Sequence, residues 1–313
     1  MIGQYMESEI REQPAALARV SNSYLDKLGD ALRGEKPEMI LLVARGSSDH
    51  AALYARYLFE IHLGIPVTLA APSVITRFGS KIKFPSALAI GISQSGAGPD
   101  VAEVLAVMRK AGHRTLAVTN TEGSRLTQTA DASLLLDVGK EQSVAATKTY
   151  TSSLLAMYQL ARVLGANLSD PDIPDQDWLE KCRIDAIEAS PAIIRNQVIF
   201  SLGRGYSFPT CQETALKLME CSLLPAKAYS TADFEHGPKA LAGPNSAAIA
   251  YGDAPQGLDA FGCTPVIAPR GPEGPSSVFF EIFFGQWLAL HAARVRGLDP
   301  DRPRNLSKVT ETL

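Results

Sequence analysis

The sequence has little cysteine, no strong excess of charge of either sign and no long apolar run. Its 313 residues include four cysteines without a CxxC pair, which argues against a zinc site or a redox motif. The 30 basic and 33 acidic residues leave a net charge of −3, so no basic field is available for nucleic acid. Arg162 and Glu281 interrupt the longest apolar stretches, and the amino terminus lacks the apolar segment of a signal peptide. We therefore expect a cytoplasmic protein with reduced thiols that binds neither nucleic acid nor a membrane.

Short apolar runs alternate with helical patterns in the first half of the chain. The predicted strands are the runs at 39–44, 87–92, 115–120 and 133–138. Helical patterns follow the first two runs, and a long amphipathic helix is predicted at about 147–164. Apolar strands that alternate with helices are typical of right-handed βαβ units, which form a parallel sheet.

The pattern restarts after a segment rich in Asp and Pro at 165–177, which has the composition of a linker. The turn Arg204-Gly205-Tyr206-Ser207 then follows an apolar run and precedes a helical pattern, as Arg45-Gly46-Ser47-Ser48 does in the first half. The sequence therefore predicts an α/β fold of two similar halves, each with a mainly parallel sheet. The expected domains are 1–166, with an amino-terminal helix, and 176–313.

Hydroxyl-rich loops follow two of the predicted strands in the first half. They are Gly46-Ser47-Ser48 and Ser93-Gln94-Ser95, and Thr147 lies at the start of the long helix. At the carboxyl ends of parallel strands, backbone N–H groups and hydroxyls converge and can bind an anion. The alternative is that these residues only cap helices. Because the P-loop and dinucleotide fingerprints are absent, the pattern favours a phosphate cradle without nucleotide machinery.

Ionisable side chains concentrate in the second half. Glu213, Lys217 and Glu220 are spaced i, i+4 and i+7, so they share one face of a helix. The alternative is an exposed stripe of salt bridges. His236 lies in the turn-forming segment Glu235-His236-Gly237-Pro238 and is the preferred histidine for proton transfer near neutral pH, although a loop histidine is commonly just solvated.

These motifs occur together, and in this order, in sugar isomerase (SIS) domain proteins. The chain resembles the isomerase half of glucosamine-6-phosphate synthases over nearly its whole length. The motifs are Arg45-Gly46-Ser47-Ser48, Ser93-Gln94-Ser95-Gly96, Val144-Ala145-Ala146-Thr147-Lys148, the helix from Glu213 to Glu220, Glu235-His236-Gly237-Pro238 and Pro303-Arg304-Asn305-Leu306-Ser307-Lys308.

The resemblance implies two tandem three-layer αβα domains and a carboxyl-terminal tail that folds over the active site. It implies a homodimer with the active site near the interface, a histidine donated by the neighbouring subunit, and no metal or organic cofactor. Glu220 would move the proton between C1 and C2, His236 would assist ring opening, Lys308 would lie near C2 of the sugar, and Lys217 would lie beside the helix base. The residues expected to bind substrate are Gly46, Ser47, Ser48, Ser93, Gln94, Ser95, Thr147 and Glu213.

Two departures from the synthase pattern guide the expected activity. No cysteine precedes Cys182, so the expected protein has no glutaminase domain and resembles the SIS-type glucosamine-6-phosphate deaminases. Gly98 stands where the synthase loop has a threonine that helps to hold phosphate. The alternatives are an aldose–ketose sugar-phosphate isomerase, a fructosamine-phosphate deglycase and a sensor module that binds a phosphosugar without turnover.

Overall fold

The computed structural model describes residues 2–308, and they form two compact units. The first unit comprises Ala16–Lys140 and Lys148–Pro171. The second unit comprises residues 2–15, Glu141–Thr147 and Asp172–Lys308. The units are therefore not contiguous in sequence. The amino-terminal helix α1 (Gln4–Leu32) contributes its first turns to the second unit and the remainder to the first. The predicted domain bounds, 1–166 and 176–313, stay a prediction.

The first unit is built on a five-stranded sheet in which every strand pairs in parallel with its neighbour. Its strands are β1 (Met39–Val43), β2 (Val67–Leu69), β3 (Ala87–Ile92), β4 (Arg114–Thr119) and β5 (Ala132–Leu135). Its helices are α2 (Ser47–Leu63), α3 (Pro72–Thr76), α4 (Pro99–Lys110), α5 (Arg125–Thr129) and α6 (Lys148–Val163). The strand order β2-β1-β3-β4-β5 reverses between β1 and β3. Ligands bind at such a reversal in open α/β sheets because two loops diverge there.

The second unit has a four-stranded sheet with the order β7-β6-β8-β9, and its pairings are also parallel. Its strands are β6 (Val198–Gly203), β7 (Ala226–Ser230), β8 (Ser246–Ala250) and β9 (Thr264–Ile267). Its helices are α7 (Gln176–Ile194), α8 (Ser207–Ser222), α9 (Thr231–Glu235), the 3₁₀ turn Pro238–Leu241 and α10 (Ser277–Val295). The order of this sheet reverses between β6 and β8.

Apolar side chains from the strands and from the helices behind them form the cores. In the first unit, β1 and β3 are buried along their whole length, as is typical of inner strands of a parallel sheet. Their core neighbours on α4 are Val101, Ala102, Val104, Leu105 and Met108. In the second unit, Phe200 and Leu202 of β6 pack with Phe234 of α9 and Ala248 of β8.

The structure confirms the predicted α/β class with parallel sheets. The four apolar runs of the first half become β1, β3, β4 and β5, and the run at 198–203 becomes β6. The linker at 165–177 carries no helix or strand before α7 begins at Gln176. The three-layer arrangement stays a prediction. In the part of the chain that the structure describes, no helix has the length and hydropathy needed to cross a bilayer.

Candidate functional site

The loops after β1 and β3 start side by side in the first unit. Val43 of β1 pairs with Gly91 of β3, so both strands end at the same edge of the sheet. The first loop leads through Gly46 into α2, and the second leads through Ser93-Gln94-Ser95 and Gly98 into α4. Both loops therefore place hydroxyls and the amino-terminal end of a helix at the reversal of the strand order.

The serines of these loops do not cap the helices that follow them. Gly46 is the N-cap of α2 and Gly98 is the N-cap of α4, and neither position supplies a side-chain cap. Ser48 lies inside α2, and the Ser95 hydroxyl accepts a hydrogen bond at 3.3 Å from the Ala97 amide ahead of α4. The capping alternative is therefore wrong for Ser48 and Ser95, and their role in binding an anion stays a prediction.

An ion pair between an exposed arginine and a buried aspartate links the loop after β1 to α4. The Arg45 Nε atom donates to Asp100 Oδ2 at 2.8 Å, and the side chain of Asp100 is only 3% exposed. The Asp100 carboxylate would repel a phosphate bound near α4, so the guanidinium of Arg45 offsets that charge. Arg45 thus links the loop after β1 to α4. Its positive charge reduces the repulsion that the Asp100 carboxylate would exert on a bound anion.

Two glycines shape the loop after β3. Gly96 has a φ of +60°, and a Cβ atom there would lie 2.2 Å from the Ser124 hydroxyl, so a larger residue does not fit. At Gly98, φ is −56°, and the nearest atom to a Cβ would be Asp100 Oδ1 at 3.5 Å. Backbone and space therefore permit a threonine at position 98, and its absence removes a hydroxyl without distorting the loop.

In the second unit, α8 brings Glu213, Lys217 and Glu220 together as predicted. Lys217 Nζ lies 3.4 Å from Glu213 Oε1 and donates a hydrogen bond to Glu220 Oε2. The Glu213 and Lys217 side chains are 0% and 1% exposed, whereas that of Glu220 is 23% exposed. The stripe is therefore buried along most of its length, and the alternative of an exposed salt-bridge stripe is wrong. Glu220 is the member of the cluster that solvent or a ligand can reach.

The charge on Lys217 is fixed by its two carboxylate neighbours. Burial by itself lowers the pKa of this ammonium, but Glu213 and Glu220 outweigh burial and hold the pKa above its ordinary value. Lys217 therefore stays protonated at neutral pH and does not serve as a base. Instead it holds the Glu220 carboxylate in place and neutralises the buried Glu213.

Thr147 and Lys308 meet through a glutamate that the sequence analysis did not select. The Glu141 side chain is 0% exposed, and its Oε1 atom accepts a hydrogen bond from the Thr147 amide at 3.0 Å. Its Oε2 atom accepts from Lys308 Nζ at 2.9 Å. Lys308 is therefore an ordered residue of the second unit and not a solvated tail lysine. Residues 309–313, which complete the predicted tail, lie outside the described residues.

His236 lies on the surface of the second unit at the end of α9. It is the C-cap of the short helix α9, its amide donates to the Asp233 carbonyl at 3.1 Å, and the residue is exposed. The predicted role of His236 in the active site of a neighbouring subunit requires that its imidazole be exposed. The structure meets this requirement.

The turn Arg204-Gly205-Tyr206-Ser207 leads to a buried acid that the sequence analysis also missed. The Ser207 hydroxyl donates to Glu281 Oε1 at 2.8 Å, across from α8 to α10. Burial raises the pKa of Glu281 to about 7, and the hydrogen bond from Ser207 only partly opposes this. Nothing in the apolar sequence around position 281 indicates which helix would face its carboxyl group, so only the tertiary structure could identify it.

Glu281→Gln is expected to change the pH dependence of stability. In the folded state this carboxyl group keeps its proton up to about pH 7, whereas an unfolded glutamate releases it near its ordinary pKa of 4.5. Wild-type stability should therefore fall as pH rises between these values, by up to about 3 kcal/mol. The glutamine variant should lack this loss and be the more stable protein at pH 8.

Urea unfolding at several pH values between 5 and 8 measures how the free energy of unfolding depends on pH. Glu188→Gln, at an exposed position of α7, is the control and should run parallel to the wild type. If the Glu281→Gln and wild-type curves are also parallel, Glu281 does not titrate in this range.

Comparisons with known proteins agree with the family predicted from the motifs. The SIS domain family matches residues 35–163 and 192–256. A glutamine–fructose-6-phosphate aminotransferase (isomerizing) of Methanothermobacter thermautotrophicus is 32% identical over 340 aligned positions, which cover 97% of this chain and 57% of that protein. The chain spans 57% to 58% of the length of the curated relatives it matches.

Two solved structures resemble this chain over nearly their whole length. Glucosamine-6-phosphate deaminase from Thermotoga maritima has a TM-score of 0.79 and 26% identity, with coverage of 99% of this chain and 100% of that chain. The C-terminal domain of glucosamine-fructose-6-phosphate aminotransferase from Francisella tularensis has a TM-score of 0.78 and 26% identity, with coverage of 96% and 98%. The motifs, the parallel sheets and these similarities agree, and the chain belongs to the SIS domain family.

Proposed function

We propose that this protein is an enzyme that converts glucosamine 6-phosphate and water to fructose 6-phosphate and ammonia. The observation that carries the proposal is the Glu220 carboxylate, which is partly exposed and held by a buried, protonated lysine. An isomerisation between C1 and C2 needs one base of this kind. The similarity to the Thermotoga maritima deaminase, which extends over 99% of this chain, supports the choice of reaction.

In this proposal the two loops of the first unit bind the phosphate group. The residues are Gly46, Ser47, Ser48, Ser93, Gln94 and Ser95, and Thr147 and Glu213 complete the substrate-binding set. Hydroxyls and backbone N–H groups that clamp the phosphate fix the distant carbons of the sugar, so binding energy is used for orientation. The proposal keeps the prediction that the carboxyl-terminal tail folds over the active site, and the described residues of this tail end at Lys308.

The chemical steps follow from the groups available. His236 of a neighbouring subunit in a homodimer donates to the ring oxygen and accepts the proton of the O1 hydroxyl, which opens the hemiacetal. Glu220 removes the proton from C2 and returns it to C1, while a second proton passes from the C2 nitrogen to O1, so that the aldehyde with its C2 amine becomes a C2 imine with a C1 hydroxyl. Water adds to C2 of the imine, ammonia leaves, and the ketone of fructose 6-phosphate forms. Lys308 stabilises the negative charge that develops on the enediol-like intermediate.

The reaction is tested by measuring ammonia and fructose 6-phosphate formed from glucosamine 6-phosphate. Release of both in equal amounts is the expected result. Further arms use glucose 6-phosphate for a plain aldose–ketose isomerase, fructosamine 6-phosphate for a deglycase, and fructose 6-phosphate with ammonium for the synthetic direction. Turnover in one of these arms alone, or tight binding of a phosphosugar without any turnover, would overturn the proposal.

The proposal also states that the protein is cytoplasmic and that its active site is shared between the two subunits of a homodimer. A phosphosugar enzyme with four buried free thiols fits the reducing cytoplasm.

A homodimer that shares His236 should regain activity when an inactive Glu220→Gln protein is mixed with an inactive His236→Ala protein and the subunits exchange. Exchange without any regained activity contradicts the shared site.

Ser95→Ala is expected to raise KM for the phosphosugar by roughly 10- to 100-fold with a much smaller change in kcat. A hydroxyl that binds phosphate equally in the ground and transition states contributes about 1.5–3 kcal/mol of uniform binding. Ser124→Ala is the matched control, because Ser124 is a true N-cap whose hydroxyl accepts from the Thr127 amide. That variant should lose thermal stability but keep its KM. A Ser95→Ala protein with the same pattern would show that Ser95 is only structural.

A further inference from the structure

Three segments that are far apart in the sequence meet in the second unit through buried carboxylates. They are the first turns of α1, the segment Glu141–Thr147 and the tail from 299 to 308. Glu9 and Glu141 are only 2% and 4% exposed, and neither belongs to the predicted site. A buried carboxylate is costly unless it is paired and hydrogen-bonded, so the partners of both residues define what these carboxylates do.

Glu141 connects the lysine of the tail to the start of α6. Its two oxygens accept separately from the Thr147 amide at 3.0 Å and from Lys308 Nζ at 2.9 Å. Lys308 Nζ also donates to the Ser143 carbonyl at 2.5 Å. Both acceptors of the lysine ammonium therefore lie on one short segment, and the position of the amine depends on the backbone of that segment.

Glu9 fixes that backbone from the side of α1. Its carboxylate accepts hydrogen bonds from the Gln142 amide and, at 3.3 Å, from the Ser143 amide. Ser143 is the residue whose carbonyl binds Lys308. Without Glu9, the buried Ser143 amide and the partly buried Gln142 amide would lose their acceptor, and the segment would have to rearrange to satisfy them.

The beginning of the tail is attached to the same end of α1. The Asp301 carboxylate accepts from the Tyr5 and Met6 amides at 2.8 Å each, and Asp299 accepts from the Gly3 amide at 3.0 Å. Carboxylates at a helix amino terminus satisfy its free N–H groups and interact favourably with its dipole. Both ends of the segment 299–308 are thus held relative to the first turns of α1.

We propose that Glu9 and Glu141 are positioning residues for the amine of Lys308. The proposal rests on the proposed function, in which that amine acts near C2 of the sugar. Neither glutamate has to touch the substrate: Glu141 holds the amine directly, and Glu9 holds the segment that carries Glu141 and Ser143. A catalytic group displaced by about 1 Å can lose ~10²-fold in rate, so indirect supports of this kind affect kcat.

The kinetic test uses Glu9→Gln, Glu141→Gln and the double variant. Each single change should lower kcat by roughly 10- to 100-fold while KM stays within about threefold, because the phosphate loops of the first unit are unchanged and the amide oxygen of Glu141→Gln can still accept from the Thr147 amide. The double variant should fall little below Glu141→Gln, since both residues act through the same amine. Glu141→Asp, which keeps the charge, should recover part of the loss.

Glu38→Gln is the matched control. Glu38 Oε2 also accepts from a backbone amide, that of Ser86 at 2.9 Å, but it lies in the first unit. A change of kcat in this variant similar to that in Glu9→Gln would show that the effect is one of general stability. The proposal would then be wrong.

A second measurement does not depend on the reaction. The rate at which an amine-acylating reagent modifies Lys308, read by peptide mass spectrometry, should rise roughly tenfold in Glu9→Gln and Glu141→Gln and stay constant in Glu38→Gln. Unchanged labelling overturns the proposal, and so does increased labelling with wild-type kcat. If the wild-type protein releases no ammonia from glucosamine 6-phosphate, the proposed function fails, whereas the labelling still shows whether the two glutamates hold Lys308.

Discussion

Replacing Glu220 with glutamine is expected to lower kcat for ammonia release by ~10²–10⁴-fold, the usual cost of losing a positioned general base. The glutamine keeps the shape of the side chain and an oxygen that can accept from Lys217, but its amide cannot take a proton from carbon. Binding of the phosphosugar should stay close to that of the wild type, because the phosphate loops lie in the first unit and are unchanged.

The cluster on α8 explains why this variant should still fold. Lys217 is 1% exposed and would be an unpaired buried charge without any carboxylate, but Glu213 remains beside it at 3.4 Å. The loss of one partner is therefore partly offset by the other. Glu213→Gln should lower the melting temperature more than Glu220→Gln does, because the Glu213 side chain is fully buried beside Lys217.

Two measurements separate the role of Glu220 in chemistry from its role in packing. Exchange of deuterium from solvent into C1 of the product should disappear in Glu220→Gln, while calorimetry should show retained phosphosugar binding. Glu188→Gln on the surface of α7 serves as the control and should match the wild type in both. A Glu220→Gln protein with wild-type kcat would remove this residue from the mechanism.

Lys308→Met is expected to lower kcat by ~10²–10³-fold, the range observed when one preorganised group that stabilises a developing charge is removed. Its Nζ atom is held by Glu141 and the Ser143 carbonyl, so these two groups fix the position of the amine. Deleting residues 302–313 should have a similar effect. The deletion keeps Asp299 and Asp301, whose carboxylates bind the first amides of the amino-terminal segment, so the second unit should remain folded.

Lys227→Met provides the control, because Lys227 is an exposed residue of β7. That variant should keep wild-type kcat and KM. Circular dichroism and thermal unfolding establish that the truncated protein is folded. A folded truncation that releases ammonia at the full rate would show that the tail has no part in catalysis, and a folded truncation that binds phosphosugar without turnover is the expected result.

The periodicity of the sequence was sufficient for the regular parts of the fold. The runs at 39–44 and 87–92 are continuous and apolar, as is typical of inner strands of a parallel sheet, and they form β1 and β3. Strand β2 has only three residues with Thr68 at its centre, and β9 begins with Thr264 and Pro265, so neither forms a continuous apolar run that periodicity could identify. Thr147 immediately precedes α6, as its position in the sequence predicted.

The sequence by itself determined the parallel α/β architecture, the glycine- and serine-containing loops and the shared helix face of Glu213, Lys217 and Glu220, because each depends on local spacing. Only the tertiary structure decided that this face is buried, that Ser48 and Ser95 are not caps, and that the Lys308 amine is held by Glu141 and the Ser143 carbonyl. The pairing of Lys308 with Glu141 joins residues 167 positions apart, and that of Glu9 with Ser143 joins residues 134 positions apart. No local pattern encodes such contacts, since they depend on where the chain returns after the strands and helices have packed.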